Sequence, residues 1–411
     1  MNNLRVESAK QLATGLGPIS IGMGDGLLNR LLPDALPRLA AWTRRPAAAL
    51  PPDAGGAPGY RDLAIKADGS EDWTWPWSNQ AERITVWLRL AQVLRDASWT
   101  EDARRYADAM LSDPVRGIYA GPEQEYGGLV WYWRESGDYM TNYAMRVPPA
   151  FLDLFAVTGD ARYEQAAIRA GRAMLRLTGP VGIPYEGWTP PGLPASRWVG
   201  HAKINSRIGY ATLTYARLWK HTGEKSFSRV LDCLVSALCA VQGQDGGLPE
   251  DLLVSRNEPL NARLKCHFMS YVLNGAGPAL ELLPEHDELR GLAVGIGDHL
   301  LGQLRRCGGI PYGHLDTDPG AESRIWLSTH GDAAPGLLAL SRATGNRHYA
   351  EAASRVLLNA MLQSFDCPDQ PNLHGGMPTW HAPGREVLVG IGGYFHFFTL
   401  LGLCDWLVGH P

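Results

Sequence analysis

The sequence predicts an all-α ring of six helical hairpins, an (α/α)6 toroid, from three observations. A Gly-x-Pro phrase recurs as Gly182-Ile183-Pro184, Gly247-Leu248-Pro249, Gly309-Ile310-Pro311 and Gly376-Met377-Pro378, with the glycines 65, 62 and 67 residues apart. A fainter copy, Gly117-Ile118-Tyr119, lies 65 residues before the first. A second phrase keeps the same beat: Thr158-Gly159-Asp160, Thr222-Gly223-Glu224 and Thr344-Gly345-Asn346. Self-similarity at a fixed period marks a repeat architecture. The third observation is the count. Six units, each with one long connection, span nearly the whole chain, which favours a closed ring over an open solenoid.

Residues 1–70 are the least regular. A helix is expected around Gly26–Trp42, and Pro46–Pro58 reads as a Pro/Ala/Gly loop. This segment is expected to supply the first outer helix, packed on the ring. Residues 71–411 carry the hairpin repeats of the same single domain. Within a unit, the outer helices are amphipathic and charged, as in Glu101–Leu111 and Ala161–Leu177. A Gly-x-Pro turn follows and opens a long connection. The inner helices come next and are more apolar: Tyr143–Val157, Ile208–Trp219, Phe268–Leu283, Ala333–Leu340 and Tyr394–Leu407. Thr-Gly then closes the unit. Glycine accepts the left-handed conformation at a helix end, and Asp or Asn caps the next start.

At 411 residues with 45% apolar and 19% charged side chains, the core is ample. The net charge of −4 and the lack of a basic run argue against a nucleic-acid partner. Cysteines 233, 239, 266, 307, 367 and 404 lack CxxC spacing and read as buried free thiols in a reducing compartment. The N-terminus has no continuous apolar core of a secretory signal. No apolar stretch reaches the ~18 residues that a span requires. A cytoplasmic protein without a membrane segment is the expectation.

Function is expected at the long-connection end, because the short Thr-Gly ends are chemically plain. The first long connection holds Trp73, Trp75 and Trp77, flanked by Glu71 and Asp72, and aromatic faces stack on the apolar faces of sugars and other ligands. The second holds Glu123, Glu125, Trp131 and Trp133, with a small strand expected over Leu129–Trp133, then Asn142 and Arg146. The third holds Tyr185, Glu186 and Trp188, followed by His201 and Tyr210. The fourth holds Glu250 and Asp251, then His267. The fifth holds Tyr312, His314 and Trp326, then His330, and the sixth holds His381. His201, His267 and His330 recur 66 and 63 residues apart. They are expected around one rim, at the starts of three consecutive inner helices.

The expected catalytic set is His201, His267, His330, Glu186, Asp251 and Tyr210. The expected substrate-binding set is Trp73, Trp75, Glu125, Trp131, Trp133, Asn142, Arg146, Tyr185, Trp188, Tyr312, His314, Trp326 and His381. Paired carboxyls suit glycoside hydrolysis, and Glu186 and Asp251 take similar places after successive Gly-x-Pro turns; Asp332 is a further rim carboxylate. His and Tyr with Asn or Arg suit β-elimination of a uronate, and His201, Asn205, Arg207 and Tyr210 supply those parts. No cofactor is expected. The alternative is zinc held by His201, His267 and His330, with Asp332 or Cys266.

The run Met145–Tyr163, with Thr158-Gly159-Asp160 inside it, and its echo Pro335–Tyr349 resemble the helix-turn-helix of (α/α)6 carbohydrate-active enzymes, nearest in flavour to unsaturated uronyl hydrolases. Where those hydrolases carry a catalytic Asp shortly before this stretch, the chain has Thr141 and Asn142, with Asp138 slightly earlier. Thr329–Gly336 resembles a His-Gly turn of thioether-ring cyclases, but Cys266-His267-Phe268 departs from their zinc signature. The resemblance to the hydrolases implies an enzyme that cleaves a glycosidic bond in an oligosaccharide or uronate-containing glycan, by hydrolysis or β-elimination. A sugar epimerase or isomerase, a terpenoid-type cyclase and a non-catalytic binding toroid are the alternatives.

Overall fold

The computed structural model describes residues 24–44, 61–65, 71–76, 81–112, 132–133, 138–140, 145–176, 178–179, 181–184, 187–188, 201–203, 206–249, 251–253, 258–259, 266–311, 327–362, 364 and 394–409. Twelve helices lie among them: α1 (Gly24–Trp42), α2 (Ala81–Leu94), α3 (Ser98–Ser112), α4 (Val147–Thr158), α5 (Ala161–Arg176), α6 (Ser206–Thr222), α7 (Lys225–Val241), α8 (Cys266–Leu282), α9 (Asp287–Cys307), α10 (Leu327–Thr344), α11 (Arg347–Leu362) and α12 (Tyr394–Gly409). No described helix is long and apolar enough to cross a membrane.

The even-numbered helices close a ring. Helix α2 packs on α4, α4 on α6, α6 on α8, α8 on α10, α10 on α12, and α12 returns to α2. Each inner helix from α2 to α10 also packs on the odd-numbered outer helix that follows it, and α1 packs on α11 and α12. The fold is the expected (α/α)6 toroid.

Three short turns show how the sequence writes this architecture. Gly159, Gly223 and Gly345 have φ of 70°, 71° and 74°, the left-handed region that only glycine enters cheaply. In each turn the threonine hydroxyl donates to the carbonyl four residues back, at 2.7 Å for Thr158, Thr222 and Thr344. It also accepts the amide two residues on. Asp160 and Asn346 then cap the next outer helix through the amides of Arg162 and His348. Glu224, one methylene longer, makes no such cap and instead meets Arg172 on α5 at 2.5 Å. In two of the three repeats a tyrosine bonds the previous outer helix, Tyr163 to Asp108 at 2.9 Å and Tyr349 to Asp298 at 2.8 Å, and Phe227 takes that place in the third.

At the other end, the middle residue of each described Gly-x-Pro turn is an apolar plug. Ile183, Leu248 and Ile310 are buried. The inner helices meet at bare backbone. A Cβ at Gly209 on α6 would collide with the Tyr271 carbonyl of α8, and one at Gly275 would collide with the Gly209 carbonyl. This closeness explains why the inner runs are rich in small residues.

One charged residue per inner helix, alternating in sign, lies toward the C-terminal ends: Arg89, Asp153, Arg217, Glu281, Arg342 and Asp405. Asp153 meets Arg217 at 2.6 Å, Glu281 meets Arg342 at 2.5 Å, and Asp405 meets Arg89 at 3.7 Å. Asp405 also lies in the field of Arg342. The girdle therefore ties neighbouring inner helices at the end away from the long connections.

All eight described strands fall in the long connections. β1 (Arg61–Ile65) pairs antiparallel with β2 (Glu71–Pro76). β3 (Tyr132–Trp133), β4 (Asp138–Met140) and β5 (Gly187–Trp188) form one three-stranded sheet. β6 (His201–Lys203), β7 (Asp251–Leu253) and β8 (Glu258–Pro259) form another. Each three-stranded sheet joins successive long connections, through Tyr139 opposite Trp188 and His201 opposite Leu253. Of the strand expected at Leu129–Trp133, Tyr132–Trp133 is described and is strand, and residues 129–131 lie outside the described residues.

Of the six cysteines, Cys233, Cys239, Cys266, Cys307 and Cys404 are described, and all are free thiols. Only Cys266 and Cys404 are buried. Cys233 is exposed on α7, so the expectation of uniformly buried thiols is corrected. Its turn of the amphipathic helix faces outward.

Candidate active site

The N-terminal turns of the inner helices bring buried polar side chains together inside an otherwise apolar ring. Arg146 is the last residue before α4, and its position is fixed by Thr214 of α6, whose hydroxyl donates to the Met145 carbonyl. The Arg146 guanidinium lies 2.5 Å from the Glu82 carboxylate on α2 and 4.5 Å above the Tyr210 ring on α6. Both charged side chains are buried. Burial raises the Glu82 carboxyl above its ordinary range, opposed by the Arg146 charge and the Tyr210 hydroxyl.

Helix α8 presents His267, Tyr271 and Asn274 at spacings of four and three, which place them on one face. The Tyr271 hydroxyl is 2.9 Å from His267 Nε2. On the other side of the ring, His267 Nδ1 is 3.3 Å from Thr329 Oγ1 and 3.5 Å from Asp332 Oδ2, both on α10. With a proton on Nδ1 toward Asp332, Nε2 accepts from the Tyr271 hydroxyl.

Asp332 is fully buried. Desolvation pushes its carboxyl well above the ordinary range. Arg146 and the Tyr271 hydroxyl pull it down, and the Glu82 charge adds to the rise. Asp332 and Glu82 thus both lie in the field of one cation. Six helix N-termini point toward this end, and their dipoles favour negative charge here.

Arg83, next to Glu82 but on another face of α2, is enclosed by aromatic rings. Its guanidinium carbon is 4.9 Å from the Phe397 ring, 5.3 Å from Tyr106 and 5.4 Å from Trp87. It forms part of the wall between the two rings of helices.

Of the residues expected from sequence, His267, Tyr210 and Arg146 gather at this site. His330 does not join them. Its Nε2 accepts the Ile310 amide at 2.9 Å, and its Nδ1 faces the Asn359 amide of outer helix α11 at 3.3 Å. Burial holds it neutral, with its pKa pushed down to about 3. Met269 holds the same place in the previous repeat: each is the fourth residue of its inner helix, and the Leu248 amide points at the Met269 sulfur at 3.4 Å. His330 is therefore a turn-stapling residue.

The three histidines also hold non-equivalent positions. His201 is in β6, His267 is the second residue of α8, and His330 is the fourth of α10. Their near-regular spacing is thus not a shared structural place: His267 and His330 both open inner helices, but only His267 turns toward Asp332. The zinc alternative needs His330, and both its ring nitrogens already face structural partners.

His201, Asp251, Trp73, Trp75, Trp133 and Trp188 lie in strands whose backbone pairing alone is described. In that pairing Asp251 faces Lys203 and Trp133 faces Asp138. Glu186, Glu125, Trp131, Asn142, Tyr185, Tyr312, His314, Trp326 and His381 lie outside the described residues. Glu82, Tyr271, Asn274 and Asp332 were absent from the expected sets, Asp332 being named only as a further rim carboxylate and as a ligand in the zinc alternative. The signal for Glu82 is a charged pair, Glu82-Arg83, opening an apolar inner helix.

No protein-family model matches the sequence, and no curated protein sequence matches it. Solved structures match along almost the whole chain. A sugar epimerase from a ruminal bacterium superposes with a TM-score of 0.70 at 12% identity, over 94% of this chain and 99% of that one. The chain is an (α/α)6 toroid. Cellobiose 2-epimerase from Bacillus thermoamylovorans gives 0.70 at 11% identity, over 93% and 100%. An unsaturated glucuronyl hydrolase specific for heparin gives 0.69 at 11%, over 92% and 98%. The likeness to these carbohydrate-active toroids is one of structure.

Proposed function

We propose that this chain is a carbohydrate-active enzyme that cleaves a glycosidic bond in an oligosaccharide or uronate-containing glycan. The observation that carries the reading is the pair of buried carboxyls, Asp332 and Glu82, set in different environments around Arg146. Among the described residues Asp332 has no ion-paired arginine against it, so burial keeps it protonated and able to act as the acid. Glu82 touches Arg146 directly and is the better carboxylate. In the proposed step Asp332 gives its proton to the departing glycosidic oxygen as the carbon–oxygen bond breaks. Glu82 takes a proton from the water whose oxygen forms the new bond to the sugar carbon. His267 and Tyr271 hold Asp332 in place. The structural neighbours, which include hydrolases of unsaturated glucuronyl sugars, support the class of substrate.

A second reading rests on the His267–Tyr271 contact. A histidine relayed to a tyrosine can remove a proton beside a sugar carbonyl; its return to the same carbon from the opposite face is epimerisation, and its delivery to the former carbonyl carbon is isomerisation. Epimerases and a D-mannose isomerase stand among the structural neighbours. A cytoplasmic setting belongs to the same proposal and is supported by the exposed free thiol of Cys233.

One panel separates these readings. Neutral and acidic oligosaccharides are incubated in D2O, and reducing ends, the absorbance of unsaturated products and carbon-bound deuterium are read together. New reducing ends without new unsaturation are expected. Unsaturation appearing with reducing ends would assign elimination. Deuterium uptake without cleavage would assign the second reading, and silence on all three would remove both.

A further inference from the structure

The deepest polar side chain on the α8 stripe has no task in the proposed reaction. Asn274 lies one turn below Tyr271 and two turns below His267 on the same face. Its residue is 5% exposed. Among the described residues neither its amide nitrogen nor its amide oxygen has a hydrogen-bond partner. Buried side-chain amides are nearly always bonded, because an unmade bond leaves the full desolvation cost. Asn is also a poor helix-interior residue. Helix α8 therefore carries two costs at this position for no hydrogen bond among the described residues.

The position is rigid. Gly336 of α10 packs directly on the backbone at Leu273 and Asn274, where a Cβ would stand 2.7 Å from the Leu273 carbonyl carbon. The crossing fixes the depth of the backbone that carries the amide below the His267–Asp332 contact. An amide is neutral and offers one acceptor and two donors in a plane. Its partner must offer the complement at matching spacing without net charge, as two adjacent hydroxyls of a sugar ring do. A carboxylate would go to Arg146 instead.

We propose that Asn274 is a recognition residue at the floor of the site, where its amide exchanges hydrogen bonds with adjacent hydroxyls of the bound sugar ring. The proposal rests on the carbohydrate reading above. It makes Asn274 a selector of which hydroxyls the substrate carries, because a site built to bond a hydroxyl rejects an analogue that lacks it.

The test uses the full chain and two variants, Asn274→Leu, which keeps the volume without polarity, and Asn274→Asp, which keeps acceptors and loses the donors. Binding of cellobiose, mannose and an unsaturated glucuronyl disaccharide is titrated calorimetrically, and thermal midpoints are read without sugar. For the sugar that binds wild type, N274L and N274D are expected to lose about tenfold or more in affinity. The ligand-free midpoint of N274L should equal or exceed that of wild type. For one monodeoxy analogue of that sugar, wild type and N274L should bind alike. Full affinity in either variant, a midpoint for N274L several degrees lower, or an equal loss on every monodeoxy analogue would overturn the proposal alone. A wild type that binds none of the three sugars would remove the carbohydrate reading and this proposal together, before any variant is made.

Discussion

Arg146 and Glu82 meet at 2.5 Å with both side chains buried, joining the start of inner helix α4 to the start of α2. Removing one partner leaves an uncompensated charge in the ring. Arg146→Met is expected to lower stability by ~3–5 kcal/mol, and Arg146→Met with Glu82→Leu should recover most of it. Chemical denaturation of the three proteins checks this. Both variants should lose cleavage activity, which separates the pair's chemical role from its structural one.

Asp332 should govern both activity and pH dependence. Its folded pKa is raised, so the folded state holds a proton that the unfolded state has released. Stability from this group is complete below the unfolded value, ~3.9, and is lost as pH rises through the raised folded value. Asp332→Asn is permanently neutral. Its thermal midpoint should match wild type near pH 4 and exceed it increasingly toward neutral pH. Its kcat should fall by ~10²–10⁴-fold, measured on the sugar that the wild type cleaves.

His330 carries the opposite sign. Its folded pKa of about 3 lies below the ordinary 6.5, so stability from it is complete above 6.5 and is lost as pH falls toward 3. His330→Met copies the residue at the same place in the previous repeat. It should flatten the acid limb of a midpoint-against-pH curve while keeping kcat within ~3-fold. A loss of activity as large as that of Asp332→Asn would restore His330 to the catalytic set.

Gly209 and Gly275 should tolerate no side chain. Ala at either position forces α6 and α8 apart, at a cost of ~1–3 kcal/mol or more, read by denaturation. Gly302 has open space where a Cβ would stand, and the same change there should cost little or stabilise.

Reversing one charge of the girdle should be felt and then repaired. Asp405→Arg places a third positive charge with Arg89 and Arg342 and should lower the thermal midpoint. Adding Arg89→Glu should restore part of the loss, and high salt should shrink both effects because the arginines are near the surface.

The repeat phrases were legible because they are local. Thr-Gly-Asp encodes a left-handed residue and a cap within three positions, so the turns, the alternation of outer and inner helices and the toroid itself follow from the chain read in order. The three histidines misled for the converse reason. A spacing near the repeat length says which unit a residue is in, but a shift of one or two residues along a helix turns its side chain by 100° or more, and the two-residue difference between His267 and His330 sends one toward Asp332 and the other toward Ile310. The sequence by itself determined the helices, their order and the end at which polar residues collect. Only the tertiary structure decided that Glu82, Arg146, Tyr210, His267 and Asp332 share one buried site, because they stand at the starts of five inner helices, up to 250 residues apart, and are joined by ring closure alone.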